Sequence, residues 1–124
     1  MDKLTVYGIK NCDTMKKTFQ WLAHHKVEYE FHDYKEEGAD EDVLKRALAQ
    51  HGWENVLNRK GTTWRALPDK IKEAMNERLA LKTALDNPSI IRRPLLDCGS
   101  EIQLGFEEKS LKTMTAKHRS ANKG

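Results

Sequence analysis

Cysteine is scarce in this chain, and its scarcity excludes two classes of protein. The 124 residues include two cysteines, Cys12 and Cys98, which are too few for a disulfide scaffold and too few for a zinc site built from cysteine alone. None of the five histidines stands at a metal-binding spacing from either cysteine. We therefore expect no metal site and no bound cofactor.

Long hydrophobic runs are also missing. No apolar stretch approaches the roughly twenty residues that cross a bilayer. Residues 1–6 lack the basic stretch and the apolar segment of a secretory signal. We therefore expect a cytoplasmic protein, in a reducing compartment, that does not bind membranes.

An excess of one charge is found only at the end of the sequence. The net charge is +3, and Lys117, Arg119 and Lys123, in a stretch without acids, account for it. The rest of the chain is balanced, which does not favour a surface that binds nucleic acid. We interpret residues 115–124 as a basic, flexible tail and residues 1–114 as one domain, which we expect to be a monomer.

What the chain does contain is a succession of regular hydrophobic patterns. Residues 4–7 form a short β-rich run, residues 14–25 carry apolar side chains at helical spacing, and residues 27–32 alternate between apolar and polar. This opening predicts a strand, a helix and a second strand, with Cys12 at the junction between the first strand and the helix.

The middle of the sequence predicts helices. Asp40 is a candidate N-cap for one helix, which Gly52 would end. One face of that helix carries the apolar side chains Val43, Leu44, Ala47 and Leu48. Residues 58–63 are typical of a polar loop. A further helical stretch begins at Pro68 and ends before residue 87.

The last third predicts two strands and a closing helix. Residues 95–98 and 101–104 flank Gly99-Ser100, a two-residue turn with glycine first, which is typical of a type II′ hairpin. Residues 107–114 are predicted to form the closing helix. The whole order predicts an α/β, thioredoxin-like fold, β-α-β followed by β-β-α, with a helical insertion over about residues 40–88 between the two halves.

Cys12 is the residue best placed for chemistry. A thiol at the amino end of a helix faces unpaired N–H groups and the positive end of the helix dipole, and both favour the nucleophilic thiolate. Lys10 and Lys16 would favour it further. The alternative interpretation is a cysteine packed inertly in the core.

The helical turn after Cys12 offers no second thiol, because Met15 stands three residues on. An external thiol would therefore have to reduce any disulfide formed at Cys12. Cys98, beside the predicted hairpin turn, is expected to be structural.

The second informative stretch is Arg92-Arg93-Pro94. A proline at the start of a strand is tolerated because its missing N–H can face away from the ladder, and in a thioredoxin-like domain such a proline is usually cis. Arg93 would then face Cys12 and offer its planar fork to an oxyanion or carboxylate, while Arg92 would alternate away. The alternative is that both arginines form an ordinary solvated surface.

Two motifs, in this order and at this separation, resemble those of a known family. Residues 7–17, Tyr-Gly-Ile-Lys-Asn-Cys-Asp-Thr-Met-Lys-Lys, and residues 87–94, Asn-Pro-Ser-Ile-Ile-Arg-Arg-Pro, are similar to the glutaredoxin-coupled arsenate reductase family. The similarity is greatest to its YffB branch, and the Spx-type regulators are relatives. The resemblance extends from residue 3 to about residue 114.

The resemblance implies a glutathione-dependent thiol reductase. Its partner would be glutathione or a glutathionylated or disulfide substrate. Free glutathione or a glutaredoxin would then reduce the mixed disulfide formed on the enzyme. It implies that Cys12 is catalytic. The residues then expected to bind the anionic substrate are Arg93, Arg59, Pro94, Lys10 and Asn11.

Three positions depart from the family pattern. Gly8 stands where arsenate reductases carry a histidine, residues 104–106 lack their third arginine, and Met15 stands where Spx regulators carry a second cysteine. The first two departures disfavour arsenate as the substrate, and the third excludes a disulfide switch within that turn. Two alternatives to the thiol reductase stay open: a non-catalytic, Spx-like protein that binds RNA polymerase, and an arsenate reductase with altered anion contacts.

Overall fold

The computed structural model describes the backbone of residues 4–10, 12–99 and 101–123 and side chains as far as Thr115. The chain divides into two units: the first comprises the chain up to Asp33 and again from Arg93, and the second is Tyr34–Arg92. In chain order the elements are β1 (Leu4–Gly8), α1 (Asp13–His24), β2 (Tyr29–Asp33), α2 (Tyr34–Glu37), α3 (Glu41–His51), α4 (Trp53–Val56), α5 (Thr62–Arg65), α6 (Asp69–Glu73), α7 (Glu77–Asp86), a 3-10 turn (Pro88–Ile90), β3 (Leu95–Asp97), β4 (Ile102–Leu104) and α8 (Glu108–Lys123).

The first unit is a four-stranded sheet in the order β2-β1-β3-β4. Strands β1 and β2 are parallel and are joined through α1. Strand β3 is antiparallel to both β1 and β4, and α8 follows β4. This β-α-β and β-β-α topology confirms the thioredoxin-like fold.

The core of the first unit lies between one face of the sheet and the helices α1 and α8. Because strand side chains alternate, Leu4 and Val6 share that face, and Leu96 lies directly opposite Val6 in the register of β1 with β3. The helices contribute the buried side chains Met15, Trp21, Leu22, Leu111 and Met114. Full burial of each large apolar side chain contributes about 1.5–3 kcal/mol.

The predicted hairpin joins β3 to β4. The N–H of Cys98 donates to the carbonyl of Glu101 at 3.1 Å. Gly99 has φ 104°, and a positive φ is what the first central residue of a type II′ turn requires. Ser100, the second central residue, lies outside the described residues.

The helix predicted after Asp40 is present in the second unit as α3. The Asp40 carboxylate accepts a hydrogen bond from the N–H of Val43 at 3.1 Å, and α3 ends at Gly52, whose φ is 82°. The buried side chains of α3 are the four that were expected, Val43, Leu44, Ala47 and Leu48.

Other parts of the second unit differ from the sequence prediction. The helical stretch expected from Pro68 onward is broken into α6 and α7, because the Asn76 side chain accepts from the N–H of Leu79 at 2.8 Å and starts a new helix. The one-turn helices α2, α4 and α5 were not predicted, because four residues are too few to show helical periodicity. The unit also extends beyond the predicted limits of 40–88 at both ends.

The closing helix is longer than predicted. Residues 107–114 were expected to be helical and residues 115–124 to be a tail, but the α8 backbone continues to Lys123. No helix in the described part of the chain is both long and apolar enough to cross a membrane.

Gly8 and Met15 pack against each other closely enough to make their contributions to stability interdependent. A Cβ placed on Gly8 would lie 2.5 Å from Met15 Sδ and 2.6 Å from its Cε, and the Met15 side chain is fully buried. We predict that Gly8→Ala lowers the free energy of unfolding by about 1–3 kcal/mol, as overpacking does. In a Met15→Ala background the same change should be neutral or stabilising, because alanine suits a strand better than glycine.

Urea unfolding of the two single variants, the double variant and the parent protein measures this interaction. We expect the effects to depart from additivity by at least about 1 kcal/mol, as for residues in contact. Additive effects would contradict the packing of Met15 over Gly8.

Candidate functional site

Cys12 occupies the N-cap of α1, in the loop that leaves β1. Its backbone is extended, with φ −142° and ψ 130°, and its carbonyl accepts the first helical hydrogen bond, from the N–H of Lys16 at 2.9 Å. Its half-buried sulfur therefore lies at the amino end of a 12-residue helix, where backbone N–H groups have no helical partner.

The electrostatics around the sulfur favour its ionised form. Partial burial raises the pKa of the Cys12 thiol and is the largest single effect, whereas the backbone N–H groups of Met15 and Thr14 lower it. The sulfur makes no side-chain capping hydrogen bond of good geometry, so the two amides act on it through a longer or more bent contact. The N–H groups nevertheless stabilise its anion.

Arg93 is the charged side chain that acts on the sulfur. Its guanidinium lowers the Cys12 pKa both by its charge and by a hydrogen bond to the sulfur. The net result of burial, the two amides and Arg93 is a pKa below the usual value of a thiol. A lower pKa increases the fraction of Cys12 present as thiolate, the nucleophilic form of a cysteine, at a given pH.

The stretch around Arg93 has the geometry that the sequence predicts. The peptide bond between Arg93 and Pro94 is cis. Arg93 is half-buried while Arg92 is exposed, as expected for neighbours that alternate along extended chain. Pro94 is buried just before β3, and its carbonyl accepts from the N–H of Gly105 at 2.9 Å.

The lysines near Cys12 in sequence do not act as expected. Lys10 and Lys16 are both exposed, and the groups that lower the thiol pKa do not include them. Long side chains with solvated ammonium groups exert little force on a charge that they do not contact. Asn11, the other predicted neighbour, lies outside the described residues.

Arg59 belongs to the second unit. It is exposed in the loop after α4, and its Cζ lies 5.7 Å from the centre of the Trp53 ring, which is a cation–π contact. Trp53 in turn stacks on Trp64, with ring centres 6.0 Å apart. The tryptophan contact was missed, because six residues of sequence separation give no signal that two side chains will meet.

Cys98 is a half-buried, free thiol at the hairpin, as is Cys12 at its helix. Its Sγ donates to the Glu101 carbonyl at 3.4 Å, and it packs against the apolar core of the first unit. These contacts are typical of a structural cysteine.

No group of three histidine, cysteine or acidic side chains in the described part of the chain is arranged to hold a metal ion. The described site places the Cys12 thiol beside the Arg93 guanidinium. The sequence indicated both groups, but the specific amides of Thr14 and Met15 become identifiable only once Cys12 is seen at the N-cap.

Comparison with known proteins gives a consistent family. The family model described as ArsC matches residues 7–114. An uncharacterised protein of Haemophilus influenzae is 42% identical over 106 residues, covering 86% of this chain and 93% of that protein. The regulatory protein MgsR of Bacillus subtilis is 28% identical over 125 residues, covering 96% of this chain and 98% of MgsR.

Two solved structures are similar over most of this chain. A protein named YFFB has a TM-score of 0.87 and 46% identity, covering 90% of this chain and 97% of that one. An arsenate reductase (ArsC) related protein from Brucella melitensis has a TM-score of 0.71 and 42% identity, covering 90% of this chain and 92% of that one.

Arg93 should control the ionisation of Cys12, whereas Lys16 should not. In a Cys98→Ser background, which leaves one thiol, we predict that Arg93→Ala moves the inflection of alkylation rate against pH to higher pH. The physical reason is that the thiolate loses a cation and a hydrogen-bond donor. At neutral pH the variant should then react more slowly with iodoacetamide, an uncharged reagent.

Lys16→Ala is the matched control, since it removes the same charge from an exposed position in the first turn of α1. Its pH profile should follow that of the parent. Equal shifts in the two variants would mean that a general positive field, rather than contact with Arg93, sets the pKa.

Proposed function

This chain belongs to the ArsC family, and from that membership and the geometry at Cys12 we propose that it is a thiol-dependent reductase with glutathione as its thiol co-substrate. The observation that supports this most directly is the position of Cys12 at the N-cap of α1, where two helix amides and Arg93 lower the pKa of its thiol. The thiolate is the form that attacks disulfides. The reducing cytoplasm is the compartment in which glutathione is available for this role.

The proposed reaction has two thiol–disulfide exchanges. The Cys12 thiolate attacks the glutathione sulfur of a mixed disulfide, so that a Cys12–glutathione disulfide forms and the substrate leaves as a thiolate that takes a proton from water. A second glutathione thiolate then attacks the glutathione sulfur bound to Cys12. This step releases the Cys12 thiolate and oxidised glutathione, and a glutaredoxin could supply the same electrons.

Arginines would hold the substrate during these steps. The Arg93 guanidinium suits a glutathione carboxylate, because a planar fork and a carboxylate form paired, charge-assisted hydrogen bonds. In this proposal Pro94 shapes the backbone beside the site. The predicted anion contacts of Lys10, Asn11 and Arg59 stay part of the proposal.

Single-thiol turnover follows from what stands at position 15. Met15 is fully buried in the core, so the first turn of α1 carries no resolving thiol. In the proposed mechanism an external thiol resolves the intermediate at Cys12, which is the role given to glutathione, and Cys98 takes no part.

A second candidate function is transcriptional regulation. It is favoured by the names of relatives: MgsR is called a regulatory protein, and a global transcriptional regulator Spx of Streptococcus agalactiae is 23% identical over 111 residues. In that case the chain would act by binding RNA polymerase, and a reactive thiol would be unnecessary. The third candidate is an arsenate reductase with altered anion contacts. The name of the Brucella melitensis relative, an arsenate reductase (ArsC) related protein, favours it.

Exposure to oxidised glutathione separates the first two candidates. We predict that the intact protein gains a single glutathione, measured by mass spectrometry, because the Cys12 thiolate is nucleophilic and Cys98 is engaged with Glu101. Cys98→Ser should react as the parent does. Cys12→Ser should gain none, since a serine hydroxyl stays protonated where the thiol ionises.

Turnover of a glutathionylated peptide, with glutathione as the sole reductant, completes the experiment. Activity should persist in Cys98→Ser and disappear in Cys12→Ser, with circular dichroism showing that both variants are folded. A folded but inactive Cys98→Ser would identify Cys98 as the resolving thiol and contradict the single-thiol mechanism. An inert Cys12 in the parent would favour the regulatory candidate.

A further inference from the structure

Three cationic side chains of the second unit line one small cavity. Arg59, Lys60 and Arg92 surround a space of about 130 Å³, together with the amide side chain of Asn58 and one acidic side chain, Glu54. Of these three cations, only Arg59 is among the residues that the family resemblance implies for anion binding. In the structure Lys60 and Arg92 line the same cavity as Arg59, and all three residues belong to the second unit.

The backbone holds the two sides of this cavity together. Leu57 and Ile91 form an antiparallel bridge. On either side of it, the N–H of Asn58 donates to the carbonyl of Ile90, and the N–H of Arg92 donates to the carbonyl of Val56, both at 2.8 Å. Residues 59–60 and 92, far apart in sequence, are thereby fixed as neighbours.

The loop that carries Arg59 and Lys60 is itself ordered by hydrogen bonds. The Asn58 side-chain carbonyl accepts from the N–H of Lys60 at 3.2 Å, and the Asn58 backbone carbonyl accepts from the N–H of Gly61 at 3.2 Å. The guanidinium of Arg59 rests over Trp53. This preorganisation lowers the entropy that a ligand would otherwise lose on ordering the loop.

The charge of the cavity is unbalanced. Three cations face one carboxylate, and no ion pair in the described part of the chain engages Arg59, Lys60 or Arg92. Like charges held together repel, and an anion bound among them relieves that repulsion. Guanidinium groups also match the geometry of carboxylate and phosphate oxygens.

We propose that Arg59, Lys60 and Arg92 form an oxyanion-binding pocket that accepts one phosphate or carboxylate group of a small molecule. The size of the cavity supports a single group, since a cavity of about 150 Å³ holds one benzene ring. The pocket shares Arg59 with the anion contacts predicted for the reductase, but Lys60 and Arg92 set it apart from the Cys12 thiol, and binding to it requires no thiol.

Inorganic phosphate and S-methylglutathione, which cannot exchange disulfides, are the probes for this pocket. Each is titrated into the ¹⁵N-labelled Cys12→Ser protein at constant ionic strength, with sodium chloride as the reference salt. We expect saturable shifts of the backbone amides of Lys60, Gly61 and Arg92. Phosphate binding identifies an inorganic or phosphoester group as the ligand chemistry, and binding of S-methylglutathione alone identifies a carboxylate.

Variants test which side chains hold the anion. Arg59→Gln and Arg92→Gln should each weaken binding at least about tenfold, since each removes a charge-assisted contact. Lys82→Gln, which removes an exposed cation on α7 outside the pocket, should leave the affinity unchanged. The spectra themselves report whether each variant is folded.

Three outcomes would contradict the proposal that this pocket binds an oxyanion. They are shifts that chloride reproduces, shifts confined to Thr14 and Met15 at the thiol site, and affinities that Arg59→Gln and Arg92→Gln leave unaltered. None of these outcomes bears on the reactivity of Cys12, so failure of the pocket and failure of the reductase proposal are distinguished.

Discussion

The antiparallel pairing of β1 with β3 is the constraint on which the candidate site depends. Tyr7, near the end of β1, lies opposite Leu95, at the start of β3. The loop that follows β1 and the segment that precedes β3 therefore lie at the same end of these two neighbouring strands. Cys12 and Arg93, eighty-one residues apart in the numbering, reach each other because of this register. A shift of one residue in the register of β1 with β3 would also turn the core side chains of β3 away from the helices. The same pairing therefore determines both the packing of the core and the position of Arg93 beside Cys12.

The parts of the molecule that follow from local rules could be predicted from sequence. The cap at Asp40 and the stop at Gly52 are encoded within one helix, and the contrast between half-buried Arg93 and exposed Arg92 follows from alternation along an extended chain. The parts that depend on distant contacts could not. Lys10 was expected to act on the sulfur because it is near in sequence, but its exposed side chain makes no contribution to the lowered pKa. Sequence proximity does not say where a flexible ammonium group points.

Met15 illustrates how one residue can serve the core and the site at once. Its side chain is fully buried and lies against the position of a Gly8 Cβ, whereas its backbone N–H stabilises the Cys12 anion. The amide contribution belongs to the position in the helix rather than to methionine, because any residue other than proline offers the same N–H. The loss of a second thiol at this position therefore leaves the activation of the first one intact. An internal disulfide in this turn is excluded, while the groups that lower the pKa of Cys12 are all present.

The neighbouring arginines show how the chain separates two kinds of positive charge. Arg92 is the last residue of the second unit, and Arg93 is the first residue of the segment that returns to the first unit. The Arg93 guanidinium acts on the Cys12 sulfur, and the thiolate form of Cys12 balances its charge within the protein. Arg92 shares its cavity with Arg59 and Lys60, where a single carboxylate leaves the charge unbalanced. A cation that is neutralised internally tunes the reactivity of its partner, whereas cations that are not neutralised attract charge from solution. Under the two proposals, the adjacent arginines have separate roles: Arg93 tunes the Cys12 thiol and Arg92 helps to bind an anion.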